Sequence, residues 1–129
     1  MSDYRHIRTS QSAIHEGAPL VTVVTFMDSR IDRANQVAEL GNEWIALVER
    51  ERPVNLLISF SGVVHVSKKA AEHLLVLERA VKQNKGVLRL CNVSLDVRDV
   101  IDLVDVAQLL DIRDCSKDGL TAWPAQLPA

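Results

Sequence analysis

No apolar run in this 129-residue chain approaches the roughly 20 residues that a membrane span needs. The opening M-S-D-Y-R-H-I-R has none of the apolar core of a secretory signal, which points to a cytoplasmic protein. Basic excess is also missing. The formal net charge is -2 and the isoelectric point is near 6.1, so nucleic acid finds no electrostatic footprint. Cysteine is scarce: Cys91 and Cys115 are too few and too far apart for a disulfide framework or a metal knuckle. Cys91 closes an apolar strand and reads as a buried reduced thiol, in keeping with a reducing compartment. The five glycines fall in neither GxGxxG nor GxxxxGK spacing, and HExxH does not occur. No phosphate-cradling loop, metal centre or cofactor is implied.

What is present is an ordinary globular composition, 47% hydrophobic and 25% charged. The length suits one domain, read as residues 1–116, followed by a loosely held tail at 117–129 with two prolines and Trp123. Leu56 to Phe60 is a short run of large apolar residues, the pattern of a central strand covered on both faces. A Ser-Gly loop follows, and from Ala70 the apolar positions switch to helical spacing at Leu74, Leu77 and Val81. Val21 to Phe26 and Val87 to Cys91 are further strands. Tyr4 to Ile14 reads as an edge strand, and Leu109 to Ile112 as a weak last one.

Helices fill the gaps. The first spans about Asn35 to Arg50, burying Val37, Leu40, Trp44, Leu47 and Val48, with Glu39, Glu43 and Glu49 outside and Pro53 as its stop. The second opens at Ser67 and ends at Asn84-Lys85-Gly86, with Gly86 expected in the left-handed conformation. The third is capped by Ser94; its Asp96, Asp99, Asp102 and Asp105 drift around the helix and read as a solvated face. The order β-β-α-β-α-β-α-β predicts an α/β fold, a single mixed sheet with helices packed on one face.

Catalytic constellations are hard to assemble. Of four histidines, His6 and His15 lie near the N-terminus and His73 is expected to face outward on the second helix. His65 alone stands near a serine, Ser67, and a serine just before a helix is ordinarily an N-cap rather than a nucleophile. An enzyme is not expected. The polar loop Asp28-Ser29-Arg30-Ile31-Asp32 should lie at the same sheet edge as Ser67, serving either turn chemistry or binding. Lys68 and Lys69 stand out there. They sit at the positive end of the helix dipole, which disfavours each by roughly 0.3–1 kcal/mol.

Taken in order, V-T-V-V-T-F-M-D-S-R-I-D, L-L-I-S-F-S-G-V-V-H-V, the helix from Ala70 and G-V-L-R-L-C-N-V-S resemble a STAS domain, the fold of bacterial anti-sigma factor antagonists. The likeness covers roughly Arg5 to Asp114, and E-L-G-N-E-W and L-R-L-C-N resemble a subgroup frequent in planctomycete-like bacteria. It implies binding to a kinase-like anti-sigma factor and inactivation by phosphorylation of a serine opening the second helix. In the family that helix opens with aspartate, the acceptor serine, a small hydroxyl residue and glycine. Here Ser67 stands at the aspartate, Lys68 at the acceptor, Lys69 at the next position and Ala70 at the glycine. Asp32 matches the family's aspartate in the earlier loop, while Ser29 stands where that loop usually has glycine.

The reading is therefore of a non-enzymatic interaction domain without the usual switch. Ser67, one residue early, is the nearest hydroxyl left for phosphorylation. Asp32, Ser67, Lys68 and Lys69 form the expected contact surface. Other readings are a sensor holding a nucleotide or other anion on the two lysines, a structural subunit of a STAS assembly, and a homodimer.

Overall fold

The computed structural model describes residues 4–13, 20–52 and 55–113. Ten elements follow one another: β1 (Ile7–Ala13), β2 (Leu20–Phe26), β3 (Arg30–Ile31), α1 (Ala34–Glu51), β4 (Asn55–Ser59), β5 (His65–Val66), α2 (Lys68–Gln83), β6 (Val87–Cys91), α3 (Leu95–Val104) and β7 (Asp111–Arg113). Five strands make one sheet in the order β1-β2-β4-β6-β7. β1 is antiparallel to β2 and every other pair is parallel, as expected for strands joined through helices. β3 and β5 form a separate two-stranded parallel ribbon that the sequence reading did not contain.

Alternation along the central strands decides which side chains enter which core. Leu56 and Ile58 of β4 and Leu88 and Leu90 of β6 join the main cluster with Val37, Leu40, Trp44 and Leu47 of α1, Leu74, Leu77 and Val81 of α2, and Ile101 of α3. The neighbours of opposite parity, Leu57 and Cys91, bury with Val21 in a small second cluster. Every residue of β4 is buried, which is why it reads as a continuous apolar run. Trp44 is 2% exposed and meets Phe26 edge-on at 5.9 Å, a contact worth about 0.5–1.5 kcal/mol beyond area burial.

Four local expectations need correction. Lys85, not Gly86, takes the left-handed position after α2 at φ 61°; the Gly86 and Lys85 amides then donate to the Val81 and Lys82 carbonyls. β7 begins at Asp111, two residues later than the apolar run suggested, and Leu110 just before it is buried in the main core. Asp105 is no solvated member of an acidic row: it is buried, and its carboxylate accepts from the Leu109 and Leu110 amides. His73 does not face outward. Its ring lies over Gly41, where an added Cβ would come within 2.9 Å of Nε2. The segment 117–129, with Trp123, lies outside the described residues, as does His15.

Candidate functional site

The loops leaving the C-terminal ends of β2 and β4 meet at one edge of the sheet. After β4, Ser61-Gly62 closes a tight turn in which the Val63 amide donates to the Phe60 carbonyl at 2.9 Å and Gly62 sits at φ 82°, a conformation that suits glycine. The chain then enters β5, and the β3–β5 ribbon aligns Arg30 with His65 and Ile31 with Val66. The Ser67 amide donates to the Ile31 carbonyl at 2.9 Å, and the Val64 amide to the Ser29 carbonyl at 2.8 Å. This stitching carries Asp32 to the side of Ser67. Residues 35 positions apart thereby share one surface.

Gln36 organises the earlier loop, and the sequence reading missed it. Buried on the first turn of α1, its Oε1 accepts from the Asp32 and Arg33 amides at 3.0 and 3.2 Å. Its Nε2 donates to Asp28 Oδ2 at 3.0 Å and to the Arg30 carbonyl at 2.8 Å. The signal was half of a capping box, a glutamine three residues after the cap. The cap is Arg33 instead of serine or threonine, which hid the motif.

Each predicted site residue now has a place. Asp32 accepts from Arg30 at 3.0 Å and stands 3.9 Å from His65 Nε2. Ser67 caps α2: its Oγ accepts from the Ala70 amide at 3.2 Å, so no Ser67–His65 dyad is built. Lys68 and Lys69 are the first two residues of α2 and both are exposed. Among the described residues Lys69 makes one loose pair, with Glu72 at 3.8 Å. No acidic residue lies in the first turn of α2 or of α1, so neither dipole is offset from within its own helix.

Between the two helices runs a groove of about 740 Å³ that has Asp32, Ser67 and Lys69 at one end. One wall is Ala34, Ala38, Gly41 and Ile45 of α1, the other Lys69, His73, Val76 and Ala80 of α2, each at steps of four, three and four. Lys68 is not part of this groove. The structure thus brings three of the four expected residues to one concavity and leaves the fourth on the helix tip. Burial, followed by the nearby Lys69 charge, holds the His73 pKa below its ordinary value.

A second polar cluster lies on the other flank of α1, where Glu39 and Glu43 turn out not to be simple solvent-facing carboxylates. His6 Nδ1 is 3.2 Å from Asp28 Oδ2, and Nε2 is 3.0 Å from Glu39 Oε1 and 3.9 Å from Glu43 Oε2. The His6 amide donates to Glu43 Oε1 at 3.1 Å. A neutral imidazole donates from one nitrogen only, so this clasp requires the imidazolium. Burial opposes that charge, but hydrogen bonds to Glu39 and Asp28 and the Glu43 carboxylate outweigh it and raise the pKa. Among the described residues no cluster of His, Cys, Asp or Glu has metal-ligating geometry.

The STAS-domain family profile matches residues 14–118. The chain belongs to the STAS domain family. Its fold is similar to an anti-sigma-factor antagonist (STAS) domain protein from Planctomyces limnophilus, with a TM-score of 0.71 and 24% identity over 90% of this chain and 95% of that one. It is also similar to unphosphorylated SpoIIAA, an anti-sigma factor antagonist, with a TM-score of 0.60 and 11% identity over 89% and 96%. Murine Slc26a9, an anion transporter, matches with a TM-score of 0.67 and 13% identity, over 92% of this chain but 22% of its own. No curated protein matches the sequence. This STAS domain carries the family's five-stranded mixed sheet, and no helix among its described residues is long and apolar enough to cross a membrane.

Proposed function

We propose that this STAS domain acts in the cytoplasm by protein–protein contact, as an antagonist-like partner of a kinase-like anti-sigma factor, with no chemistry of its own and no serine switch. The start of α2 carries the proposal. Where a phosphorylatable hydroxyl would open the helix stand Lys68 and Lys69, and the one nearby hydroxyl, Ser67, already has its oxygen engaged as the helix cap. A phosphoserine would bring close to two negative charges to that point; here the charge is fixed and positive. Asp32, delivered beside Ser67 by the ribbon, supplies the opposite sign, so the surface offers paired charges for orienting a partner.

The test is incubation with the cognate anti-sigma kinase and ATP, followed by intact-mass and peptide analysis. The expected product is unmodified protein that stays bound to the kinase. Stoichiometric phosphoserine at Ser67 overturns the loss of the switch. Retained kinase binding by a Lys68→Glu, Lys69→Glu double variant overturns the contact surface.

A further inference from the structure

The groove between α1 and α2 is graded along its length. At the helix starts it is polar: Ser67 and Lys69 lie there, and the positive ends of two helix dipoles converge with no first-turn acid to neutralise them. Asp32 is the opposing charge at that end, and it is already engaged by Arg30 at 3.0 Å. Toward the helix ends the groove becomes apolar. Ile45 and Val76 remain 51% and 56% exposed on its two walls, an arrangement that leaves large side chains in water unless something covers them.

In the middle of the groove the His73 ring packs against Gly41, where any side chain would strike it, and Ala38 is a second small residue on that wall. Gly41, Asn42 and Trp44, from the E-L-G-N-E-W segment, all line the groove. From Lys69 to Ala80 the groove runs about 16 Å, eleven helical steps, which matches an extended acyl chain of about a dozen carbons. Its volume falls within the range of small-ligand sites, about 300–1,000 Å³.

We propose that this groove binds a carboxylate-headed acyl chain, with the head at Lys69 and the two helix starts and the tail laid across the His73 ring toward Ile45 and Val76. The proposal does not depend on the antagonist reading, though the head would occupy the surface assigned there to the partner.

Sodium dodecanoate below its micellar concentration is the probe. Trp44 fluorescence is followed in a Trp123→Phe background, with calorimetry alongside. The expected result is saturable one-to-one binding. Ala38→Phe, at an exposed helix position, should weaken it about tenfold or more, the scale of displacing a few methylenes. Lys69→Ala should weaken dodecanoate about threefold while leaving dodecanol unchanged, since only the acid has a charge to lose. Thermal unfolding confirms that each variant folds, and Val76→Glu replaces Ala38→Phe if that one does not. No saturable binding to the parent, undiminished binding to the groove-filled variant, or equal losses for acid and alcohol overturns the proposal. The kinase experiment above reads out separately, so either idea can fail alone.

Discussion

The two flanks of α1 treat charge in opposite ways. On one, His6 is enclosed by Asp28, Glu39 and Glu43, so that a positive ring meets three carboxylates drawn from β2's exit loop and from α1 itself. On the other, Lys68 and Lys69 add positive charge to helix ends that are already positive, and among the described residues only a loose Glu72 contact to Lys69 answers them. Charge resolved inside the chain holds the fold together: the His6 clasp ties β1 to α1, and through Asp28 and Gln36 to the loop that carries Asp32. Charge left unresolved costs stability, and the proposals above give it a use outside the chain. On those proposals the first flank is structure and the second a surface for a partner or ligand.

α1 must stay in place for that contrast to hold, and Trp44 is its largest buried anchor. Trp44→Ala should cost about 3–5 kcal/mol in urea unfolding, since the ring is nearly inaccessible and packs against Phe26. The same variant should disturb both flanks at once, shifting the His6 and His73 ring resonances together. A loss below about 1 kcal/mol would mean that this face of α1 is not a core face.

The clasp can be broken directly. His6→Ala removes charge-assisted hydrogen bonds and should destabilise by about 1–2 kcal/mol near pH 5.5, discounted for the partial exposure of Asp28 and Glu39. The sign with pH follows from the raised His6 value. A group held above its unfolded pKa contributes fully below about 6.5 and loses its contribution as pH rises through the folded value. Asp28, lowered chiefly by Gln36, and Glu39, lowered chiefly by His6, act oppositely and lose theirs as pH falls. The difference between parent and His6→Ala should therefore shrink from pH 5.5 to pH 8.5. Taking that difference also cancels Glu78, whose carboxyl is pushed up by burial. An unchanged difference between the two pH values would demote the clasp to ordinary packing.

The sheet and helices were legible because a strand covered on both faces shows as a continuous apolar run, as at Leu56–Ile58, and helix burial follows a period of 3.6, as at Leu74–Leu77–Val81. The clasp was not legible. Asp28, Glu39 and Glu43 lie 22, 33 and 37 positions from His6, and nothing local marks such a pairing. The β3–β5 ribbon was equally hidden, because two-residue strands have no period to detect. Asp105 looked like one more carboxylate in a spaced row until the chain after α3 folded back over it. At the candidate site the residues could be named from the sequence. Their convergence could not, since it depends on the ribbon that sets Asp32 beside Ser67. The groove wall was not visible, since it depends on the His73 ring of α2 lying against Gly41 of α1, 32 positions away.

The smallest expected effect tests the other flank. Lys68→Ser with Lys69→Ser removes two charges from a helix end that carries roughly half a positive charge. Both side chains are exposed and neither packs into the core, so nothing apolar is lost with them. The double variant should be neutral or more stable by a few tenths of a kcal/mol up to about 1 kcal/mol, and any gain should fade in high salt. Serine at these places also restores hydroxyls where the resemblance expects the acceptor, so the kinase experiment on the same protein becomes a gain-of-modification test. Unchanged stability with weakened partner or dodecanoate binding means that the unresolved charge is there for an outside contact. Clear destabilisation would show that the lysines are resolved within the fold after all, and the contrast between the two flanks would disappear.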